Sequence, residues 1–539
     1  MYSYGKIISE TNQKEVIFGR EQEMVKNHAD GYSFRIDKWS RLKRFLILGS
    51  ESNSYYVTAK EITRENAHSA LDCIREDGKK TIDICVQVSQ EGIAPKNDPA
   101  IFAMALCASM GDDQTRRYAF KSLNKVCRIG THIFMFVEYV TMFRGWGRGL
   151  RSGIANWYNS MPIDKLIYQT IKYPRRKVGS QTWSHRDLLR KSHPTTNDVI
   201  RNAVYNYIAQ KELEHYEELK VFSVVEQLED YSVKKLYDKI IEYKLPREVI
   251  AEKCNKNLNE AKIWEALLYS GMPMTAMIRN LGKMTNVGLL KTGTDDTVQY
   301  IIKELTNQDR LQKSRIHPIN LMSAFKIYHQ GHGNKGKLVW HPITQICDAL
   351  DEAFYMSFKY IEPTNLRYSI NLDVSGSMWW DKCMGLDGFT DAEIAGVMAL
   401  STAKSETRYD INAFTRNYIK TQISPKMRID MVMEEMNKLS QQMGATDCAV
   451  PMIYALKNKI KYDVFIIYTD NETWVGDIHP SEALKKYRDK MGTDAKLIVC
   501  ATRSTNFSIA DPKDKGMLDI GGFDSSAPTI ISEFARGNI

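Results

Sequence analysis

The side chains best typed and spaced for chemistry are Asp373, Ser375 and Ser377, in the run Asp373-Val374-Ser375-Gly376-Ser377. One carboxylate and two hydroxyls share a glycine-containing turn, and all are hard oxygen donors of the kind that Mg²⁺, Ca²⁺ or Mn²⁺ prefers. Alone, Asp-x-Ser-x-Ser is also an ordinary Asp/Ser turn. Two later segments supply what a cation site would lack. Gly444-Ala445-Thr446-Asp447 offers a hydroxyl ahead of a helix, and Thr469-Asp470-Asn471-Glu472 puts a carboxylate after an apolar run. No base-activated nucleophile with an orienting third group accompanies them, so the set reads as a cation-binding site, with Mg²⁺ the expected ion, rather than a catalytic one.

A second chemistry is suggested by Lys172-Tyr-Pro-Arg-Arg-Lys177, followed by Gln181-Thr-Trp-Ser-His-Arg186 and then Arg190, Lys191 and His193. Cations that displace counterions from phosphates, interleaved with aromatic rings, suit RNA. Arg186 and Arg190 are four apart and would share one helix face. The bland alternative is a solvated helix face with a capping loop. Lys38, Arg41, Lys43 and Arg44 form another basic cluster, and Arg144, Arg148 and Arg151 a third; Arg41 with Arg44, or Arg148 with Arg151, could face one way at helical spacing. Trp183 reads as core and His185 as an internal hydrogen-bonding histidine.

Gly331-His-Gly-Asn-Lys-Gly336 spells G-x-G-x-x-G, but it follows a helical pattern and precedes Lys337-Leu-Val-Trp340. A dinucleotide site needs a strand before and a helix after, so a basic loop is expected instead. His317, His332 and His341 lack metal-ligand spacing.

The elements that must hold these residues change character near Pro363. Before it the pattern is helical: Pro99–Met110 has apolar residues at i, i+3, i+4 and i+7 with Gly111 beyond, Val221–Tyr243 reads as one helix, and Glu260–Tyr269 as another. Strand signals are confined to Phe45–Leu48 and Ser54–Thr58. Many short helices without a clean repeat imply a degenerate helical array. After Pro363, strands are predicted at Arg367–Leu372, Arg408–Phe414, Asp463–Tyr468 and Ala495–Ala501, the last of them. They alternate with helices at Asp391–Ser405, Met427–Gln442, Pro451–Asn458 and Ser481–Lys490, a pattern that implies a parallel sheet covered on both faces. The Asp373, Thr446 and Asp470 loops then converge on one sheet edge.

Charge divides at the same place. Residues 361–539 hold 21 Lys and Arg against 24 Asp and Glu, and the first 360 hold 53 against 41, so the surplus of the +9 chain lies entirely in the helical part. That points to a polyanionic partner for this part. The opening Met1–Ile7 has no apolar run of a secretory leader, and no stretch reaches the roughly 18 apolar residues of a membrane span. The nine cysteines form no C-x-x-C pair, and buried reduced thiols in a cytoplasmic protein are expected.

Asp-x-Ser-x-Ser, then Thr, then Thr-Asp on alternating strands and helices resembles a von Willebrand A domain. The resemblance implies that Asp373, Ser375, Ser377, Thr446 and Asp470 hold the ion, directly or through a neighbouring ligand, at a metal-ion-dependent adhesion site with an open coordination position. Ser40–Ser50, Gly145-Trp-Gly-Arg148, Trp183–Pro194, Ile278–Thr285 and Arg315-Ile-His-Pro318 are similar to the TROVE module of Ro autoantigen proteins. Residues 1–362 are thus expected to form a ring of HEAT-like α-helical repeats, and 363–539 a Rossmann-like von Willebrand A domain joining its ends, an α plus α/β architecture. The resemblance further implies a monomer, without enzyme activity, that binds Y RNAs on its outer surface and single-stranded ends of misfolded RNAs in a central hole. It also implies association with an exoribonuclease such as polynucleotide phosphorylase. Lys172, Arg176 and His193 match family RNA-binding positions, with Arg175 or Lys177 as alternatives to Arg176. Arg186, Arg190, Lys43, Arg44 and Arg148 are further candidates. A metal-dependent protein-adhesion scaffold is the competing reading.

Overall fold

The computed structural model describes residues 10–49, 59–179, 181–293, 295–334, 336–358, 361–380, 382–386 and 388–539. Helices dominate up to Thr344–Met356, and an α/β domain with a mixed sheet follows. Among the described residues no helix is long and apolar enough to cross a membrane.

Helix Asp98–Met110 shows how the helical part is organised. It packs against Ala59–Glu91 on one side and Gly130–Arg144 on the other. Ala100, Ile101, Ala103, Met104, Ala105, Leu106, Cys107 and Ala108 are all buried, so the helix is covered on most of its circumference rather than along one stripe. Pro99 starts it at a position whose missing N–H costs nothing.

Two sequence expectations fail here for local reasons. Phe45–Leu48 is not a strand: Asp37 accepts from the Trp39 and Ser40 N–H groups and starts a helix, Lys38–Leu48, that carries the apolar run inward. Val221–Tyr243 is not one helix. It divides into Lys220–Glu226, a short turn at Leu228–Asp230 and Val233–Tyr243, because Ser232 caps a new N-terminus. The Ser54–Thr58 expectation lies outside the described residues.

The C-terminal sheet runs in the order Met517–Gly521, Lys496–Ala501, Val464–Thr469, Arg367–Asp373, Arg408–Phe414, Tyr418–Lys420. All neighbours are parallel except the last, antiparallel strand. Every residue of Val464–Thr469 is buried, as expected of a parallel strand covered on both faces. The strand Met517–Gly521 lies beyond the one predicted to be last; it is half-exposed and carries Asp519, so it lacks the continuous apolar run that marks the inner strands.

The residues around 10–36 are more ordered than their polar composition suggests. Met24–Lys26 and Tyr32–Arg35 pair with each other, and the latter pairs antiparallel with Phe507–Ser508. This segment is therefore hydrogen-bonded to the C-terminal fold. Both ends of the helical series also reach that fold. Helix Lys38–Leu48 packs on Met517–Gly521. At the other end Arg428 meets Asp348 at 2.6 Å, and the Ile429 N–H donates to Asp351 at 2.8 Å. The helical series also returns to its own beginning, where His317 Nε2 donates to the Ile93 carbonyl at 3.1 Å.

Candidate metal centre and nucleic-acid surface

Asp373 ends the strand Arg367–Asp373, and Asp470 follows the neighbouring strand Val464–Thr469; the register sets Leu372 against Tyr468. Two carboxylates are thus delivered to the same sheet edge. Asp373 accepts from the Ser375 N–H at 2.9 Å and from the Thr469 hydroxyl at 2.6 Å. Ser375 Oγ lies 3.3 Å from Ser377 Oγ, and Ser377 hydrogen-bonds Asp470. The loop carrying Thr446 is clamped from both sides: the Gly376 N–H donates to the Gly444 carbonyl, and the Trp474 and Val475 N–H groups donate to the Thr446 carbonyl. Asp373, Ser375, Ser377, Thr446 and Asp470 are all at most 5 % exposed.

Burial raises the pKa of both Asp373 and Asp470, and the charge of Asp470 adds to the rise at Asp373. Placing two carboxylates side by side out of water is costly unless something positive is near. Arg503 is buried beside them and holds down the Asp470 pKa, but its own ion pair, at 2.5 Å, is with Asp391. The donor set is hard oxygen throughout, so a divalent cation between the carboxylates fits these residues.

Sequence reasoning missed the charged surroundings. Glu472 accepts from the His28 N–H at 2.9 Å and from His28 Nδ1 at 2.7 Å; burial lifts its pKa to about 7 against the opposing pull of His28. Gln13 donates to Asp447 at 2.7 Å and accepts from the Thr473 hydroxyl. Nothing in the sequence links positions 13 and 28 to the site; only the strand pairing of the N-terminal segment brings them there. The Thr390-x-x-Glu393 capping box was the legible sign that Asp391 opens a helix.

The basic surface is built differently. Arg175–Val178 and Gln181–Ser184 form a hairpin where no strand was predicted. Arg176 stands opposite Trp183, so these two share a face, while Arg175 and Lys177 lie on the other. Arg176 is close enough to His132 to help burial depress that imidazole to about 3. Trp183 is core, as read, with Nε1 donating to Glu138 at 2.7 Å. His185 is also internal, bonded to the Tyr158 hydroxyl at 2.7 Å. Ser184 caps helix His185–Ser192 in a capping box with Asp187, and Arg186 and Arg190 are both exposed on it. His193 ends the helix in the left-handed conformation and is exposed.

Three further rings, Trp146, Tyr168 and Tyr173, continue this surface. Lys191 lies 5.1 Å from the centre of the Trp146 ring, which stacks on Trp183 at 6.2 Å and 18°. Lys172 sits 5.3 Å from the Tyr168 ring and 5.4 Å from that of Tyr173. Arg148 and Arg151 are exposed in helix Arg148–Asn159, and Lys43 is exposed on the first helix.

Arg44 is a correction. It is 2 % exposed, forms an ion pair with Asp519, and donates to the Phe507 carbonyl at 2.9 Å. Its charge is spent in fastening the first helix to the C-terminal sheet, so it cannot meet RNA. Arg41 is likewise half-buried and paired with Glu65 at 3.1 Å. The Gly331–Gly336 segment follows helix Pro318–His329 and folds back through a His332–Val339 bridge, which excludes the dinucleotide reading; Lys335 lies outside the described residues. All nine cysteines are buried free thiols.

Residues 367–535 match the Ro60 vWA domain, and 25–251 and 242–327 match the TROVE domain. The chain is 36 % identical to the RNA-binding protein RO60 of Caenorhabditis elegans, over 96 % of this chain and 90 % of that one. It is 34 % identical to the RNA-binding protein RO60 of Deinococcus radiodurans, over 96 % of each. The crystal structure of the D. radiodurans RO (RSR) protein superposes with a TM-score of 0.69 at 34 % identity, covering 94 % of this chain and all of that one. With both domains matched in order and nearly the whole length aligned, the chain belongs to the Ro60 family.

Proposed function

We propose that this chain is a non-enzymatic RNA-binding protein acting in RNA quality control or processing. It takes small structured noncoding RNAs of the Y type on the surface around the 175–193 hairpin and helix, and loose single-stranded ends of misfolded RNAs in a hole within a HEAT-like ring. The observation that carries this reading is the run of exposed cations Arg175, Arg176, Lys177, Arg186, Arg190 and Lys191 around the stacked Trp146 and Trp183. Their electrostatic attraction to phosphates supplies affinity, and the rings and guanidinium planes supply stacking. Naming both relatives RNA-binding proteins agrees with it.

The second site is read as separate. Asp373, Ser375, Ser377, Thr446 and Asp470 would hold Mg²⁺, which would supply a positive charge able to take an acidic oxygen from a partner protein. An exoribonuclease such as polynucleotide phosphorylase is the partner class proposed, with the chain itself monomeric and cytoplasmic. The buried charge pair at this edge also favours the scaffold reading, in which metal-dependent protein capture is the main activity.

Filter binding of a Y-type RNA to the full chain over a salt series distinguishes the two. RNA affinity that falls steeply with salt and survives chelation supports the RNA reading. Absence of salt-dependent RNA binding, together with metal-dependent capture of the exoribonuclease, would leave the scaffold standing instead.

A further inference from the structure

Away from both surfaces, a cleft of about 640 Å³ opens in the helical part, with Leu386 of the C-terminal domain also in its lining. It draws residues from the turn after helix Arg247–Lys253, from helices Met274–Asn286 and Pro318–His329, from the folded-back loop at Gly333 and Leu338, and from Leu386. The glycine-rich loop rejected as a dinucleotide motif therefore forms part of a wall.

The chemistry of the cleft is one-sided. Arg247, Lys256, Arg279 and Lys283 line it, and no Asp or Glu does so among the described residues. Lys283 donates to Asn259 at 2.9 Å, a neutral partner, and Arg247, Lys256 and Arg279 have no ion pair among the described residues. Four cations lining one cleft with no acid among them favour an anion, and one of more than one charge most. A phosphomonoester carries nearly two negative charges near neutral pH, whereas an internal phosphodiester carries one. Arginine adds paired donors that match phosphate oxygens.

The rest of the lining suits a base and a sugar. Asn255 and Asn320 present side-chain amides with no hydrogen-bond partner among the described residues, each offering both donors and an acceptor. The floor is rigid: the Trp340 indole donates to the Tyr328 carbonyl at 2.9 Å and stacks on the Tyr328 ring at 6.2 Å. It lies so close over Gly282 that a Cβ there would come within 2.7 Å of the ring. The volume falls within the range of sites that hold one small ligand, roughly 300–1,000 Å³.

We propose that this cleft binds a nucleoside bearing a terminal phosphomonoester, with Arg279 and Lys283 on the phosphate and Asn320 on the base or ribose. The ligand is either a free mononucleotide or the phosphorylated end of an RNA strand. The second source rests on the RNA-binding reading; the first does not.

The test titrates the full-length protein with adenosine and uridine 5′-monophosphates, with inorganic phosphate, and with one short oligoribonucleotide carrying either a 5′-phosphate or a 5′-hydroxyl. Wild-type protein is expected to bind the phosphorylated ligand at least tenfold tighter than its hydroxyl counterpart. Arg279→Ala and Lys283→Ala should each remove that preference. Both side chains reach solvent, and unchanged thermal melts will show that the fold is intact. Asn320→Ala should narrow the gap between nucleotide and inorganic phosphate. Tight mononucleotide binding identifies the free ligand, and a phosphate preference seen only with the oligonucleotide identifies the strand end. Mononucleotides that bind no tighter than inorganic phosphate, together with equal affinity for the phosphate- and hydroxyl-ended oligonucleotide, overturn the proposal. If hydroxyl-ended RNA binds and Arg176→Glu weakens it while no phosphate preference exists, the cleft fails and the RNA reading stands. If no RNA binds, the mononucleotide arm still decides the cleft.

Discussion

The imidazole of His317 donates from Nε2 to the carbonyl of Ile93, 224 residues earlier, at 3.1 Å, while its Nδ1 accepts from the Ile319 N–H. The second bond fixes the tautomer that makes the first possible. The same carbonyl accepts from the Ser525 N–H at 3.2 Å. One acceptor thus gathers the early helices, the late helices and the C-terminal domain. Replacing His317 by Ala should destabilise the protein by about 1–3 kcal/mol, the range for losing a buried hydrogen bond and leaving a void. Denaturant melts of H317A that overlay the wild type would sink this assignment.

Acid should erode that contribution. Burial lowers the His317 pKa to about 4, against an unfolded value of 6.5. The unfolded chain therefore takes up this proton first, and the stability His317 supplies, complete above pH 6.5, drains away as pH falls toward 4. Asp373 and Glu472, whose pKa values burial raises, act with the opposite sign over the same range, so the informative quantity is a difference. The stability gap between wild type and His317→Gln should shrink by about 1.4 kcal/mol per pH unit below 6.5. A gap constant from pH 7 to 5 contradicts a neutral buried ring.

At the candidate cation site, Asp470→Asn removes one of two facing carboxylates. Mg²⁺ at millimolar concentration should raise the melting temperature of the wild type and leave D470N unmoved. In EDTA, D470N should be at least as stable as the wild type, because its repulsion with Asp373 is gone. A wild type indifferent to Mg²⁺, Ca²⁺ and Mn²⁺ alike would remove the site.

On the basic surface, Arg176→Glu and Arg190→Glu should each weaken Y-type RNA binding and lower the slope of log K against log salt by about 1 per lost phosphate contact. Lys172→Ala and His193→Ala should weaken binding with a smaller change in slope. An unaltered salt series for the two Glu variants counts against this face.

Arg44 gives the matching control. Its loss strands Asp519, which is only 14 % exposed, and should cost about 3 kcal/mol of stability while leaving the RNA salt slope unchanged at temperatures where the variant is folded. A flattened slope in Arg44→Ala would return this residue to the RNA surface.

Arg44 also shows where sequence reading stops. Its spacing from Arg41 placed it correctly on a helix, but helical periodicity does not say which face meets another domain. Asp373 and Asp470 were legible because each follows a buried apolar strand, and a parallel sheet leaves little choice about where strand ends go. Phe45–Leu48 was misread because a short apolar run fits a strand or a buried helix equally, and the deciding residue, Asp37, lies eight positions upstream. His28 and Gln13 were invisible: their roles come from a pairing with Phe507–Ser508 that no local pattern announces.

That pairing sets an order of events during synthesis. The strand Tyr32–Arg35 is made some 470 residues ahead of its partner Phe507–Ser508. Until then the edge away from Met24–Lys26 must wait unpaired, and the loop to be closed is about 470 residues long. This pairing therefore waits until residue 508 has been made, and nascent chains stalled before residue 507 should carry a 24–35 segment still open to proteolysis.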